Sequence, residues 1–173
     1  VFTYDPDNPD SLSGNYVRAL WADNRGKVWV GTDDNGVAVY TSKDNKFRHY
    51  TQITAADQRL SHNNIRALTG DNAGHIFVGT NNGLDIIFTE TGLIKSVEDI
   101  QGCPLTDVHK RIRSLYWDSA GILWVGSGKG LCGISTANLD EQTPLKGKHV
   151  EALNGYVVFS LFQDQQGRML AGS

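Results

Sequence analysis

Runs of four to six apolar and β-branched residues, each bounded by Gly, Asn and Asp, recur along the whole chain and predict strands separated by tight turns. The runs are copies of one another. The first reads VRALWAD at Val17 to Asp23, IRALTGD at Ile65 to Asp71, IRSLYWD at Ile112 to Asp118 and VFSLFQD at Val158 to Asp164. The offsets are 48, 47 and 46 residues, and they hold for the aspartates as well as for the leading β-branched residues. A second run follows at fixed distance as GKVWVGT, GHIFVGT, GILWVGS and GRMLAGS, beginning at Gly26, Gly74, Gly121 and Gly167. A third opens with Asn35-Gly36-Val37, Asn82-Gly83-Leu84 and Lys129-Gly130-Leu131.

Each unit has the chemistry of antiparallel hairpins. Asp23-Asn24-Arg25-Gly26 and its counterparts supply a turn in which Asp accepts backbone hydrogen bonds and Gly takes positive φ. Asn-Gly at 35–36 and 82–83 is a strong tight-turn dipeptide. A fourth, less regular strand is expected at Lys46 to Thr51, roughly at Leu93 to Glu98, and near His149 to Leu153. Four antiparallel strands in a period of 46 to 48 residues match a β-propeller blade, and a β-helical solenoid has much shorter rungs. The expected fold is therefore all-β, a partial β-propeller of about three and a half four-stranded antiparallel blades. Residues 1–16 would be the tail of a preceding blade, 17–64, 65–111 and 112–157 three complete repeats, and 158–173 the first two strands of a fourth.

The combination D-x-x-G-x-(I/L/V)-(W/F)-V-G-(T/S), followed by N-G-(V/L), resembles the two-component regulator propeller repeat. An L-S-x-N-x-(V/I) lead-in typical of that family stands at Leu12 to Val17 and again at Leu60 to Ile65. The third boundary departs, since Leu105-Thr106-Asp107 is followed by a longer approach to Ile112, and the fourth lacks the lead-in. The resemblance implies the periplasmic, ligand-sensing propeller of an inner-membrane receptor, often a hybrid histidine kinase of gut Bacteroidetes that responds to glycan fragments. No kinase, receiver, membrane-spanning or DNA-binding segment accompanies the repeats.

Composition narrows the picture without redirecting it. The 173 residues are 39% hydrophobic and 20% charged with a net charge of −3, and no basic stripe points to a nucleic acid. The most apolar stretch, Tyr156 to Phe162, is far too short to cross a bilayer. The chain starts at Val1 and its one methionine is Met169, so it is expected to be cut from a longer protein. Cys103 and Cys132 have no metal-binding spacing with the five histidines, and two unpaired buried thiols are expected in preference to a disulfide. With Phe2-Thr3-Tyr4 as the outer strand of an absent blade, open sheet faces are expected to drive aggregation, oligomerisation through the blade edges, or completion by another copy. Otherwise the remaining blades of the parent receptor would cover them.

Most conspicuous residues are expected to be scaffold. Trp29, Phe77, Trp124 and Leu170 share one column and read as inter-blade packing. Asp23, Asp71, Asp118 and Asp164 fall one to a blade, too far apart for general acid–base work, and the histidines recur in no column. Neither a metal nor another cofactor is expected. The candidate ligand residues are Arg18, Arg66 and Arg113, which share the second position of the inner strand, where Phe159 stands in the fourth copy. Around a central axis their guanidinium groups suit a hydroxyl-rich or anionic ligand. Asn15, Asn64, Asp33, Asn35, Asn81 and Lys129, on connections expected at the same rim, complete the set. The leading functional expectation is a non-catalytic module that senses a small polar ligand, an oligosaccharide. A propeller-type carbohydrate lyase and a protein-interaction scaffold are the alternatives.

Overall fold

The structure is a computed structural model that describes residues 1–53, 55–97, 100–103, 110–142 and 144–173. Three four-stranded antiparallel sheets and a two-stranded one follow each other along the chain. The first sheet comprises β1 (Val17–Ala22), β2 (Lys27–Thr32), β3 (Val37–Thr41) and β4 (Lys46–Tyr50). The second holds β5 (Ile65–Gly70), β6 (His75–Thr80), β7 (Gly83–Phe88) and β8 (Ile94–Val97). The third holds β9 (Ile112–Trp117), β10 (Ile122–Ser127), β11 (Gly130–Ser135) and β12 (Gly147–His149). The last pairs β13 (Ser160–Gln163) with β14 (Met169–Gly172). Within each sheet the strands lie in chain order, and the inner strands β1, β5, β9 and β13 contact one another in sequence. This is an open array of about three and a half propeller blades.

Each sheet is held by what it packs against. In β6, Ile76 and Val78 face the first blade while Phe77 faces the third, so a middle blade needs apolar residues on both sides. All six residues of β7 are accordingly buried. The core between blades 1 and 2 sets Trp29, Val39 and Tyr50 against Ile65, Leu68 and Val78, with the Trp29 and Tyr50 rings stacked 6.1 Å apart. Between blades 2 and 3, Phe77 and Ile86 meet Ile112, Leu123 and Ile134. Burying each such side chain contributes about 1.5–3 kcal/mol.

One contact repeats at every junction. A Cβ on Gly31 would come 2.5 Å from Ile65 Cγ2, one on Gly79 2.6 Å from Ile112 Cγ2, and one on Gly126 2.9 Å from Val158 Cγ1. The β-branched residue that leads each inner strand thus lies in the gap left by a missing side chain on the second strand of the blade before it. Only glycine leaves that gap, which explains why the V-G-(T/S) motif never varies at its glycine here.

Three expectations need correction. The cysteines are joined: Cys103, on the segment leaving blade 2, is disulfide-bonded to Cys132 in β11, with their Cα atoms 6.0 Å apart. Their 29-residue separation in sequence hid the fact that the chain crosses from blade 2 onto the face of blade 3. The outer strand of the third blade is Gly147–His149, and Glu151–Leu153 is a 3-10 turn. Gly147 sits there because a side chain would strike the Cys103 sulfur. Phe2, Thr3 and Tyr4 form no strand; Phe2 instead packs on Tyr40 and Phe47 of blade 1, with ring centroids 4.7 and 5.3 Å away. The other outer strands are Lys46–Tyr50 and Ile94–Val97. Glu98, the Leu105-Thr106-Asp107 lead-in and His109 lie outside the described residues.

Candidate functional site

Antiparallel order places the turns after β2, β6 and β10 at one rim, together with the start of every inner strand. The three arginines occupy this rim for a local reason. In each blade the register slips by one residue: Val17 pairs with Thr32 but Ala19 with Gly31, Ile65 with Thr80 but Ala67 with Gly79, and Ile112 with Ser127 but Ser114 with Gly126. The residue skipped is Arg18, Arg66 or Arg113. A β-bulge frees its residue from the ladder and re-aims the side chain, in blades 1 and 2 onto the turn at the end of the second strand.

The turn residue then differs from blade to blade. Arg18 meets Asp33 through Nη2 at 2.5 Å and Nε at 3.1 Å, a charge-assisted pair half-open to solvent. The Arg18 hydrogen bond holds the Asp33 carboxyl below its ordinary pKa against an opposing cost of burial. Arg66 Nε donates to Asn81 Oδ1 at 3.0 Å. Arg113 has Gly128 in that column, and its guanidinium carbon lies 5.5 Å over the ring of Phe159. Its buried Nε has no acceptor among the described residues. Burial, then the nearby Arg111 and Arg66 charges, push the Arg113 pKa down.

Asn64 joins blades 1 and 2 at the same rim. Its amide nitrogen donates to Asp33 Oδ1 and, at 3.0 Å, to Asp34 Oδ1. It is 6% exposed, so it clamps the turn and does not itself face solvent. Arg18, Asp33, Asn64, Arg66, Asn81 and Arg113 therefore form one band across three blades. The remaining candidates stand apart from it. Asn15 Oδ1 accepts from Tyr4 N–H at 2.8 Å; its counterpart is Asn63, which accepts from Gln52 N–H at 2.7 Å, and not Asn64. The Asn35 side chain lies against Gly14. Lys129 is engaged through its backbone, with its N–H on Ser127 Oγ at 3.1 Å and its carbonyl accepting from Gly155 N–H.

The four aspartates sit in turns at the opposite rim. In each, one carboxylate oxygen accepts two backbone N–H groups, as Asp118 Oδ1 does from Ala120 and Ile122, both at 2.9 Å. The other oxygen is spent locally, on Trp124 Nε1 at 2.7 Å or the His75 ring at 2.5 Å. No group of three metal-ligating side chains gathers among the described residues. A cavity of about 420 Å³ opens on this rim between blades 2 and 3, beside His75, Phe88 and Leu139 and below Glu90 and Glu141. None of the candidate ligand residues lines it.

Sequence reasoning did not anticipate the bulges, because a register slip carries no composition signal. Nor did it find Arg111 beside Arg113, or Asp85, a carboxylate buried at the middle of blade 2. Asp85 accepts from Ser61 N–H, Ser61 Oγ and Ser96 Oγ at 2.9, 2.9 and 2.6 Å, and burial raises its pKa. It thereby anchors the lead-in to blade 2. Ala38 takes its place in blade 1, where the Ser13 hydroxyl is buried without a partner among the described residues.

Comparison with known proteins identifies the repeat. The two-component regulator propeller family matches residues 11–34, 59–82 and 108–129, each match spanning an inner strand and a second strand. Three segments of the chain are two-component regulator propeller repeats. No curated relative matches it in sequence. Among solved structures, the repeats superpose on the extracellular domain assigned to the hybrid two-component system BT3049 of B. thetaiotaomicron, with a TM-score of 0.76 and 22% identity over 99% of this chain. The extracellular domain assigned to a one-component system of the same organism, BT4673, gives 0.72 and 22% over 98%. PorZ, a surface component of the type-IX secretion system of Porphyromonas gingivalis, gives 0.71 and 16% over 97%. The chain spans 21%, 22% and 26% of the lengths of these three. No helix among the described residues is long and apolar enough to cross a membrane.

Proposed function

We propose that these repeats are the periplasmic, ligand-sensing part of a two-component receptor of the hybrid histidine kinase type, and that the ligand is an oligosaccharide bound at the arginine rim. The reading is carried by one observation: bulges in three successive blades aim Arg18, Arg66 and Arg113 at the same rim. Guanidinium groups fixed on a rigid sheet suit a polar, hydroxyl-rich ligand, because their hydrogen-bond directions are set before it arrives. The Cys103–Cys132 disulfide supports an oxidising compartment outside the cytoplasm, as does similarity to extracellular receptor domains. A ligand lying across several blades would favour one relative placement of the receptor's parts over another, which is what transmits a signal. The remaining blades of the receptor would complete the ring and cover the open sheet faces.

Isothermal titration against a panel of neutral and acidic glycan fragments tests this. Binding weakened by Arg66→Ala supports it. Silence across the panel, with a protein captured by the same rim, would replace it with an interaction scaffold.

A further inference from the structure

The three arginines do not carry the same charge environment. Arg18 is neutralised by Asp33. Arg66 is held by an uncharged amide. Arg113 has neither among the described residues, and the Arg111 and Arg66 charges both act on it. Among the described residues the rim therefore runs from a closed ion pair on blade 1 to a guanidinium without a counter-charge on blade 3.

Packing does not impose this. A side chain at Gly128 would meet nothing within 4 Å, and Gly128 has no positive φ that would exclude one. The fold could accept at Gly128 the carboxylate that blade 1 carries at Asp33. Arg113 is nonetheless kept ordered, its guanidinium laid over Phe159, which is itself 59% exposed. A cation held flat on an aromatic ring keeps its N–H edge available, and both groups stay pre-organised. The buried Nε without an acceptor is costly unless something supplies one.

We propose that Arg113, with Arg111 and the Phe159 ring, forms an anion subsite that takes the carboxylate or sulfate of an acidic oligosaccharide, in the space left open at Gly128. This deepens the oligosaccharide reading and rests on it. The acidic group supplies the acceptor that Asp33 supplies to Arg18, and the sugar face packs on the exposed part of Phe159. The sugar hydroxyls extend toward Arg66 and Asn81.

The test is titration of the purified chain with a uronate-bearing trisaccharide, the matched neutral trisaccharide and sodium sulfate alone. The uronate ligand is expected to bind about tenfold or more tightly than the neutral one, the gain of a charge-assisted pair. That preference shrinks between about 50 and about 500 mM salt as screening grows. Gly128→Asp fills the subsite with a carboxylate and is expected to abolish the preference while leaving neutral-sugar binding in place. Arg113→Lys keeps the charge but loses the planar fork, and is expected to reduce the preference without unfolding the blade. Equal binding of both trisaccharides, or a preference untouched by Gly128→Asp, overturns the anion subsite and leaves the oligosaccharide reading standing. Sulfate binding as tightly as the uronate sugar overturns the saccharide assignment of the subsite. No binding of either sugar, with capture of an acidic peptide instead, overturns both.

Discussion

Ile112 and Val17 occupy the same position in the third and first repeats, yet Ile112 is fully buried and Val17 is 42% exposed. Leu68 and Leu20 differ likewise, at 8% and 65%. The sequence motif is the same in each case, and the difference is a neighbouring blade. Ile112 fits against Gly79, whereas Val17 lies against no glycine of another blade among the described residues; at the other end Gly172 faces Ser160. A repeat therefore encodes half of two junctions and gains stability only when both halves meet. Residues 2–12 show how little is needed to cover part of the open face. Phe2 and Leu12 lie over Val30, Ala38 and Phe47, and Lys46 pairs with Asp10 at 2.7 Å.

Substitutions at matched positions sharpen this contrast. Ile112→Ala is expected to cost about 3–4 kcal/mol, against less than about 0.5 kcal/mol for Val17→Ala, both read from urea unfolding. Equal losses would mean that the open end is as tightly packed as the interior. Next in size is the disulfide between the segment leaving blade 2 and blade 3. Replacing both cysteines by serine is expected to cost about 3 kcal/mol, and a reductant should destabilise only the parent chain. Asp118→Ala removes the acceptor of two turn N–H groups and the Trp124 partner at a junction covered by the following strands, for about 2 kcal/mol. The same change at Asp164, which is half-buried and has no following blade strand against it among the described residues, should give a clearly smaller shift in midpoint.

Two carboxylates of blade 2 give the finest test, through pH. Burial works to raise the Asp71 pKa, but hydrogen bonds from the His75 ring and from the His75 and Ala73 N–H groups outweigh it and hold the pKa low. Its stabilising contribution is present above the unfolded value near 3.8 and fades as the pH falls through the folded one. Asp85 has the opposite sign. Its folded pKa is raised, so its contribution is most favourable below 3.8 and declines as the pH rises through the folded value. The stability gap between the parent chain and Asp71→Asn should therefore narrow on acidification. For Asp85→Asn the balance should move toward the variant as the pH rises. Parallel curves for the two variants would show that burial does not separate these carboxylates.

The arginine column shows where reading the chain stopped. Arg18, Arg66 and Arg113 are visible as a repeat, and their shared rim follows from strand order. Their partners do not: Asp33, Asn81 and Gly128 share a column, but only the bulge turns the guanidinium toward it. Asn64, expected as a ligand residue at the rim, is a buried clamp between blades, because the turn it reaches, at Asp33 and Asp34, lies some 30 residues back along the chain.

What the chain itself determined was everything of short range. Strand runs, Asp-x-x-Gly turns and the period of 46 to 48 residues follow from side-chain alternation and local hydrogen bonding, which act within a few residues. Tertiary structure decided which copies are buried, which cysteines meet and which arginine lacks a counter-charge. Those depend on what lies across the gap between sheets, and residues nearly fifty apart in sequence become neighbours there only once the blades have stacked.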